Sequence, residues 1–247
     1  MQRLDVALVE RGLAESREKA QRAIMAGQIH INGQPARKPS DRVREQDAIV
    51  LLVAENYVSR GGLKLEHALH EFPLDVHEAV AIDLGASTGG FTDCLLQHGA
   101  ARVYAVDVGQ AQLAWKLRQD PRVVVMEKTN ARHLVPARFP QPFTPVDLIV
   151  ADCSFISLRR ILPPTVALLR ASGRIVALIK PQFEAGKAEA DKGAGVITDP
   201  AVHQRVLDEL RLFVTTELRL AWQDVTASPL LGPAGNKEFL VLIEKTL

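Results

Sequence analysis

The sequence of 247 residues has few cysteines, few aromatic side chains and no long apolar run. Two cysteines cannot form a disulfide framework or a zinc cluster. The longest run without Asp, Glu, Lys or Arg is Val225–Asn236, whose 12 residues fall well short of the ~20 apolar residues that span a bilayer. The first residues, MQRLDVALVERG, carry charges where a signal peptide would be apolar. These absences predict a cytoplasmic protein that does not act in a membrane.

An excess of charge of one sign is also absent. The 30 basic and 29 acidic residues leave a net charge of +1, which argues against a polybasic protein that coats nucleic acid. Apolar residues make up 47% of the chain and charged residues 24%, as in ordinary globular domains. The seven histidines show no metal-ligand spacing, and neither Cys94 nor Cys153 has an identifiable histidine partner. We therefore expect one or two folded domains without a metal site.

The first 53 residues predict a small α+β domain. Apolar residues at helical spacing indicate two short helices, and Ser16 is a suitable N-cap for the second. Ile29 and Ile31 alternate with polar residues and lead into Asn32-Gly33, the strongest short signal for a β-hairpin. The segment Asp47–Val53 predicts a further strand.

Basic residues are concentrated on the two predicted helices. Residues 1–53 contain nine basic and seven acidic residues, so this domain carries a small positive charge. Four of its basic residues crowd around the helix–turn–helix: Arg11, Arg17, Lys19 and Arg22. Two interpretations stay open, because such a cluster is either a solvated helix face or a set of RNA phosphate contacts.

Residues 59–247 alternate between strand and helix signals, after a predicted linker at 54–58. The predicted strands are Val80–Leu84, Val103–Asp107, Val123–Met126, Val146–Ala151, Arg174–Ile179 and Phe239–Ile243. Continuous apolar strands separated by helices are typical of a mostly parallel sheet with helices on both faces. We therefore predict a Rossmann-like α/β domain that binds its ligands at the carboxyl edge of the sheet.

A glycine-containing loop, Asp83–Phe91, follows the first of these strands. Its spacing, Gly85-x-x-x-Gly89, differs from the Gly-x-Gly-x-x-Gly of dinucleotide-binding enzymes and resembles motif I of class I S-adenosylmethionine methyltransferases. The predicted cofactor-binding residues are Asp83, Gly85, Ser87, Thr88, Gly89, Asp107 and Asn130, to which the family resemblance described below adds Asp152. Plainer roles remain for several of them: the loop could be a tight turn, Asp107 a helix N-cap and Asn130 a turn residue.

Charged residues also mark the ends of the predicted core strands. Asp152 and Lys180 follow adjacent strands, and a lysine that closes an apolar strand is costly unless it is paired or used. The predicted catalytic residues are Lys64, Asp152, Lys180 and Glu238. Two ammonium groups and two carboxylates in one crevice suit alkylation of a ribose 2′-hydroxyl, which has to be oriented and deprotonated. Ordinary surface ion pairs are the alternative for Lys64 and Glu238.

Four segments together resemble one family over almost the whole chain. They are Ser59-Arg60-Gly61-Gly62-Leu63-Lys64, Asp152-Cys153-Ser154-Phe155, Lys180-Pro181-Gln182-Phe183-Glu184 and Gly235-Asn236-Lys237-Glu238. The chain resembles the TlyA family of ribosomal RNA 2′-O-methyltransferases, historically labelled haemolysins. The resemblance implies an RNA-binding domain like that of ribosomal protein S-four, followed by an FtsJ-type methyltransferase domain.

The resemblance also implies the reaction and the partners. It implies S-adenosylmethionine as cofactor, no metal, and methylation of a cytidine ribose in 16S or 23S rRNA, or both. It places the catalytic lysines and carboxylates on the four residues named above. The charged, glycine-rich segment 187–196 predicts a mobile loop over the RNA site, with a neutral surface insertion as the alternative. Where relatives with a tryptophan-containing linker couple their domains through it, this chain has Tyr57. The alternatives are a non-catalytic ribosome-assembly factor and a membrane-active haemolysin.

Overall fold

The structure, a computed structural model, describes residues 1–14, 16–25, 27–51, 56–186, 189, 193 and 195–246. Contacts divide the chain into two units, Met1–Asn56 and Tyr57–Leu247. Positions 54 and 55 of the predicted linker lie outside the described residues. The same holds for positions 187, 188, 190–192 and 194 of the predicted loop.

The N-terminal unit is a small α+β unit. Its elements are β1 (Gln2–Arg3), α1 (Leu4–Glu10), α2 (Arg17–Met25), β2 (Ile29–Ile31), β3 (Gln34–Pro35), β4 (Arg42–Val43) and β5 (Ile49–Leu51). Strand β1 pairs with β4, and β2 lies between β3 and β5, all antiparallel. The core between helices and strands contains Leu4, Ala7, Leu8, Ala20, Ile24, Ile29 and Val43.

Two short sequence signals in this unit, a helix N-cap and a hairpin turn, have the structures predicted for them. Ser16 is confirmed as the N-cap of α2, because its Oγ accepts the backbone N–H of Lys19 at 3.2 Å. The hairpin between β2 and β3 is confirmed as well. Asn32 and Gly33 have φ values of 50° and 80°, the left-handed conformation that such a two-residue turn requires.

The strand predicted over residues 47–53 starts later than expected. Asp47 closes a turn instead, since its Oδ2 accepts the backbone N–H of Arg44 at 2.7 Å. Strand β5 therefore begins at Ile49. Positions 52 and 53 of the prediction lie outside the described residues.

A seven-stranded sheet organises the C-terminal unit. Its strands are β6 (Val80–Leu84), β7 (Arg102–Val106), β8 (Val123–Met126), β9 (Val146–Ala151), β10 (Leu169–Ile179), β11 (Ala221–Ala227) and β12 (Phe239–Glu244), in the order β11-β12-β10-β9-β6-β7-β8. The five strands from β10 to β8 are parallel, whereas β12 runs antiparallel to both β10 and β11. The mostly parallel sheet is thus confirmed.

Helices cover both faces of this sheet. They are α3 (Gly61–Glu71), α4 (Gly90–Gln97), α5 (Trp115–Arg118), α6 (Leu158–Thr165), α7 (Pro181–Glu184) and α8 (Pro200–Leu212). Alternate strand residues enter two separate cores: Ile149 packs with residues of α6 and α8, and Leu148 with residues of α3 and α4. Because both faces of the central strands are buried, their sequences are mostly apolar.

In the seven-stranded sheet, the sequence analysis missed one strand and misplaced the bounds of others. Strand β11 lies at the sheet edge, and its polar residues, such as Gln223 and Asp224, hide the apolar pattern of a core strand. Strand β10 begins at Leu169, five residues before the predicted start, with a break in register between Leu169 and Arg174. No helix in the described part of the chain is long and apolar enough to cross a membrane.

Candidate active site

The carboxyl edge of the parallel sheet gathers the charged residues expected there. Asp152 directly follows β9, and Lys180 follows β10, which is its neighbour in the sheet. Pro181 begins α7 immediately after Lys180, so the strand stops at that point. Glu238 directly precedes β12, on the other side of β10. Strand order therefore brings together residues that are far apart in the sequence.

These residues and Lys64 form a cluster of alternating charges, which we call the tetrad (Lys64, Asp152, Lys180, Glu238). The Nζ of Lys180 lies 2.6 Å from Oδ1 of Asp152, and the Nζ of Lys64 lies 2.6 Å from Oε2 of Glu238. Lys64 also approaches Oδ2 of Asp152 at 3.9 Å, which joins the two pairs. The four predicted catalytic residues are thus in one place.

Burial makes the tetrad an expensive arrangement. Lys64 and Lys180 are each 8% exposed and Glu238 is 1% exposed. Desolvation of such charges roughly cancels their attraction, so a buried ion pair is a poor way to stabilise a fold. The two positive and two negative charges balance one another, and this balance lets them remain in the crevice.

Glycines bring Lys64 to the sheet edge. Helix α3 begins against the start of α4, and a Cβ on Gly90 would lie 2.8 Å from the backbone nitrogen of Gly62. A side chain there would push the two helices apart. Lys64, one turn into α3, depends on this close approach to reach Glu238.

Two further residues support the tetrad and escaped the sequence analysis. Ser154 accepts a hydrogen bond from the Nζ of Lys180 at 2.8 Å. Asn236 is buried, donates from Nδ2 to the carbonyl of Gly195 at 2.8 Å and accepts the N–H of Ile197 at 2.9 Å. It thereby fixes the segment that leads into Glu238. Asn236 lies in a segment quoted above, but only tertiary contacts show its role.

The glycines of the motif loop serve the packing of the protein. Gly85 has a φ of 80°, and a Cβ there would lie 2.8 Å from the carbonyl oxygen of Asp152. Gly89 has a φ of 101°, and a Cβ would collide with Leu117 of α5. The loop therefore passes close to protein atoms at both positions.

Asp83 lies one residue before the end of β6 and Asp107 directly follows the adjacent strand β7, but the two differ in exposure. Asp83 is buried beneath the loop and accepts hydrogen bonds from the backbone N–H and Oγ1 of Thr92 at 2.9 and 2.7 Å. Burial raises the pKa of Asp83 to about 7. The Oδ2 of Asp107 accepts the N–H of Ser87 at 2.9 Å, and its Oδ1 accepts the N–H of Gly109 at 2.7 Å. Asp83 thus shapes the loop, while Asp107 faces a cavity.

That cavity, which we call the Asp107 cavity, has a volume of about 480 Å³. Its lining includes five of the predicted cofactor-binding residues: Gly85, Ser87, Asp107, Asn130 and Asp152. Asn130 also caps a short 3₁₀ turn, because its Oδ1 accepts the N–H of Arg132 at 3.0 Å. Of the other three, Asp83 and Thr88 line the adjoining tetrad crevice of about 300 Å³, which Gly85, Ser87 and Asp152 border as well. Gly89 lies in the same loop, packed against α5.

Comparison with known families decides the class of this unit. The sequence profile of the FtsJ-like methyltransferases matches residues 57–245. The chain belongs to the FtsJ-like methyltransferase family. A second profile, that of the S4 domain, matches residues 2–49. The fold predicted for both parts is confirmed, with the methyltransferase domain in the C-terminal unit and the S4 domain in the N-terminal unit.

Similar proteins span nearly the whole chain. The 16S/23S rRNA (cytidine-2′-O)-methyltransferase TlyA of Mycobacterium tuberculosis is 46% identical over 97% of this chain and 88% of its own length. YqxC of Bacillus subtilis, provisionally named an rRNA methyltransferase, is 52% identical over 97% of this chain and 84% of its own. A hemolysin candidate from Streptococcus thermophilus has a solved structure with a TM-score of 0.76 and 44% identity, covering 99% of this chain and 88% of that one.

The basic cluster of the S4 domain is partly engaged in holding its own fold. Arg11 donates to the backbone carbonyls of Arg44, Glu45 and Asp47 at 2.7 to 3.1 Å. The Nε of Arg17 donates to the buried Asp5 at 2.8 Å, and Arg22 lies 3.8 Å from Glu18. Lys19 also has an interaction partner. RNA contact by these residues stays a prediction.

Neither cysteine has the surroundings of a nucleophile. Burial raises the pKa of the Cys94 thiol to about 12 and that of Cys153 likewise to about 12. Cys94 does have a histidine neighbour, since its Sγ lies 3.7 Å from Nδ1 of His98, and this corrects the sequence analysis. Because His98 directly follows α4 and lies one turn after Cys94, the contact follows from helical spacing. In the described part of the chain, no group of three or more His, Cys, Asp or Glu could hold a metal ion.

Proposed function

We propose that this protein methylates the 2′-hydroxyl of a cytidine ribose in ribosomal RNA, using S-adenosylmethionine. The tetrad is the observation that carries the proposal. Membership of the FtsJ-like family gives methyl transfer as the reaction class. A buried lysine and carboxylate cluster at the cofactor edge fits a hydroxyl acceptor, because a hydroxyl needs both orientation and removal of its proton.

The Asp107 cavity fits the proposed cofactor. Each carboxylate oxygen of Asp107 accepts one backbone N–H, and a carboxylate has further lone pairs for two ribose hydroxyls. The Asp107 cavity and the tetrad crevice share the lining residues Ser87, Asp152 and Ser154. S-adenosylmethionine bound there supplies an electrophilic methyl group next to the tetrad.

Lys180 is proposed to act on the acceptor hydroxyl. Its Nζ is held between Asp152 and Ser154 at 2.6 and 2.8 Å, so its position is defined before the substrate arrives. It either orients the hydroxyl by donating a hydrogen bond to its oxygen or removes the hydroxyl proton. Lys64, paired with Glu238, balances the charge of the crevice.

The substrate assignment follows the relatives. TlyA of M. tuberculosis bears a name that states cytidine 2′-O-methylation of 16S and 23S rRNA, and its similarity to this chain includes both domains. The S4 domain is proposed to bind the RNA and the methyltransferase domain to modify it. Because its proposed substrate is ribosomal RNA, the protein is proposed to act in the cytoplasm.

Mapping of ribose methylation on 16S and 23S rRNA tests this proposal. Cells that lack the protein are compared with cells that express the wild type or Lys180→Ala. Methylation of at least one cytidine is expected with the wild type and not with the variant. If the wild type adds no ribose methyl group to either RNA, the protein is not this enzyme, and a non-catalytic role in ribosome assembly is favoured.

A further inference from the structure

A third cavity borders the tetrad and has no role in the methyl transfer as proposed above. It has a volume of about 320 Å³ and reaches Lys180 and Glu238. Its lining includes neither Asp107 nor any residue of the motif loop. Because the acceptor oxygen approaches a methyl group from the side opposite its sulfur, a cavity that borders the tetrad away from the motif loop suits the acceptor nucleoside. We call it the acceptor cavity.

Two phenylalanines give the acceptor cavity an aromatic wall. The rings of Phe155 and Phe183 have centroids 5.2 Å apart at an interplanar angle of 46°. Phe155 is 90% exposed and has a φ of 63°. A bulky residue in the left-handed region with its ring in solvent is strained, and such strain persists mainly at functional sites. A flat aromatic base is the ligand that such a wall suits.

Gln182, which lies between the tetrad lysine and Phe183, supplies a polar atom at this cavity. Its Oε1 is buried and has no hydrogen-bond partner among the described residues. A buried carbonyl oxygen without a donor carries a desolvation cost. A ligand that offers an N–H group in the acceptor cavity would remove that cost.

We infer that Gln182 selects the base of the acceptor nucleotide by accepting an N–H of its exocyclic amine. This inference rests on the proposed function and extends it from a ribose to a base. Cytosine and uracil have the same shape, but cytosine presents the N4 amine where uracil presents the O4 carbonyl. An amide oxygen attracts the first and repels the second. Gln182 thus makes the site prefer cytidine over uridine.

The test uses two RNA fragments that differ only at the methylated position mapped above, with cytidine in one and uridine in the other. Single-turnover methylation of each is measured for the wild type, Gln182→Met and Gln182→Glu. Methionine keeps the length of the side chain without a strong acceptor, whereas glutamate keeps acceptor oxygens and has no amide N–H. We expect the ratio of the cytidine rate to the uridine rate to be about tenfold lower, or more, in Gln182→Met than in the wild type. Gln182→Glu should retain the preference.

Binding of S-adenosylmethionine to each variant, measured by calorimetry, shows that the fold and the Asp107 cavity are intact. An unchanged preference in Gln182→Met overturns the inference while the proposed function stands. A loss of preference in Gln182→Glu also overturns it, because the amide N–H rather than the oxygen would then read the base. If the wild type methylates neither RNA, the proposed function itself fails. Should Gln182→Met not fold, the Gln182→Glu result alone decides whether an acceptor oxygen suffices.

Discussion

Asp5 in the S4 domain and Glu238 in the methyltransferase domain are both buried carboxylates, with exposures of 0% and 1%. They differ in how fully they are bonded. Both oxygens of Asp5 have donors within 3.0 Å, from Arg3, Arg17 and Gln21. Glu238 receives Lys64 on Oε2 only, and its Oε1 has no hydrogen-bond partner among the described residues.

This difference separates a structural cluster from a chemical one. The donors of Asp5 come from the strand before α1 and from α2, so the saturated carboxylate ties these elements together. Glu238 and its neighbours keep bonding capacity next to two cavities. Buried charge alone does not distinguish the two cases, since desolvation is costly in both. The unused hydrogen-bonding capacity of Glu238 and its neighbours is what distinguishes the two cases.

Lys180→Ala is the strongest way to test the chemical side of this comparison. We expect the single-turnover rate of RNA methylation to fall by ~10²-fold or more, the scale of losing a general base or its equivalent. Affinities for S-adenosylmethionine and RNA should change little. Lys116→Ala is the matched control, because Lys116 also pairs with a carboxylate, Asp93 at 2.9 Å, but lies outside the tetrad. Equal rates for wild type and Lys180→Ala at saturating RNA would remove Lys180 from the mechanism.

Asp107→Ala tests the cofactor side of the same domain. Loss of hydrogen bonds to a charged group should weaken binding of S-adenosylmethionine by about 1.5–3 kcal/mol. Isothermal titration calorimetry measures this directly. The matched control is Asp120→Ala. The carboxylate of Asp120 accepts a hydrogen bond from the guanidinium of Arg122, and Asp120 does not line the Asp107 cavity. If both variants bind as the wild type does, the ribose contact assigned to Asp107 is wrong.

Asp5→Asn tests the structural side. The Arg3 guanidinium holds the pKa of Asp5 well below its ordinary value. A carboxylate with a lowered pKa stabilises the fold above its unfolded pKa of about 4, and this stabilisation is lost as the pH falls below that value. The wild-type S4 domain should therefore become less stable below about pH 4, and Asp5→Asn should be destabilised near neutral pH and lose much of that pH dependence.

Amide hydrogen exchange in α1 and α2 of the full chain provides the measurement for Asp5→Asn. Exchange in α3 and α4 serves as the internal control and should not change. Similar protection of α1 and α2 in wild type and variant at neutral pH would show that the saturated cluster does not stabilise the domain.

Substitutions in the basic cluster of the S4 domain should have the smallest effect per residue, and the property affected is binding to ribosomal subunits. Lys19→Gln with Arg22→Gln is preferred to a change at Arg17, which would also break the Asp5 cluster. Each phosphate contact that is lost should lower the log–log salt slope of ribosomal subunit binding by roughly 0.7–0.9. The modified nucleotide should stay the same, because phosphate contacts do not read sequence. Identical affinities and slopes across a salt series would leave these residues as a solvated helix face.

Several features could be read from the sequence because they depend on neighbours in the chain. The Asn32-Gly33 turn needs only backbone conformations that those residues tolerate, and the Ser16 cap needs only a donor three residues on. The parallel core strands are apolar because both of their faces are buried, so their composition marked them. Strand β11 has one open edge and a mixed composition, and it was missed for that reason.

The sequence by itself determined the two-part α/β organisation, the parallel core and the residue types available at the carboxyl ends of the strands. Only the tertiary structure decided which charges meet and how fully each is bonded. Lys64 and Glu238 are 174 positions apart and form a bond of 2.6 Å because α3 packs closely on α4 and β12 lies beside β10. Distances of this kind follow from packing between elements, and local sequence preferences do not encode them. For the same reason, the saturation of Asp5 and the open oxygens of Glu238 and Gln182 became visible only in the folded chain.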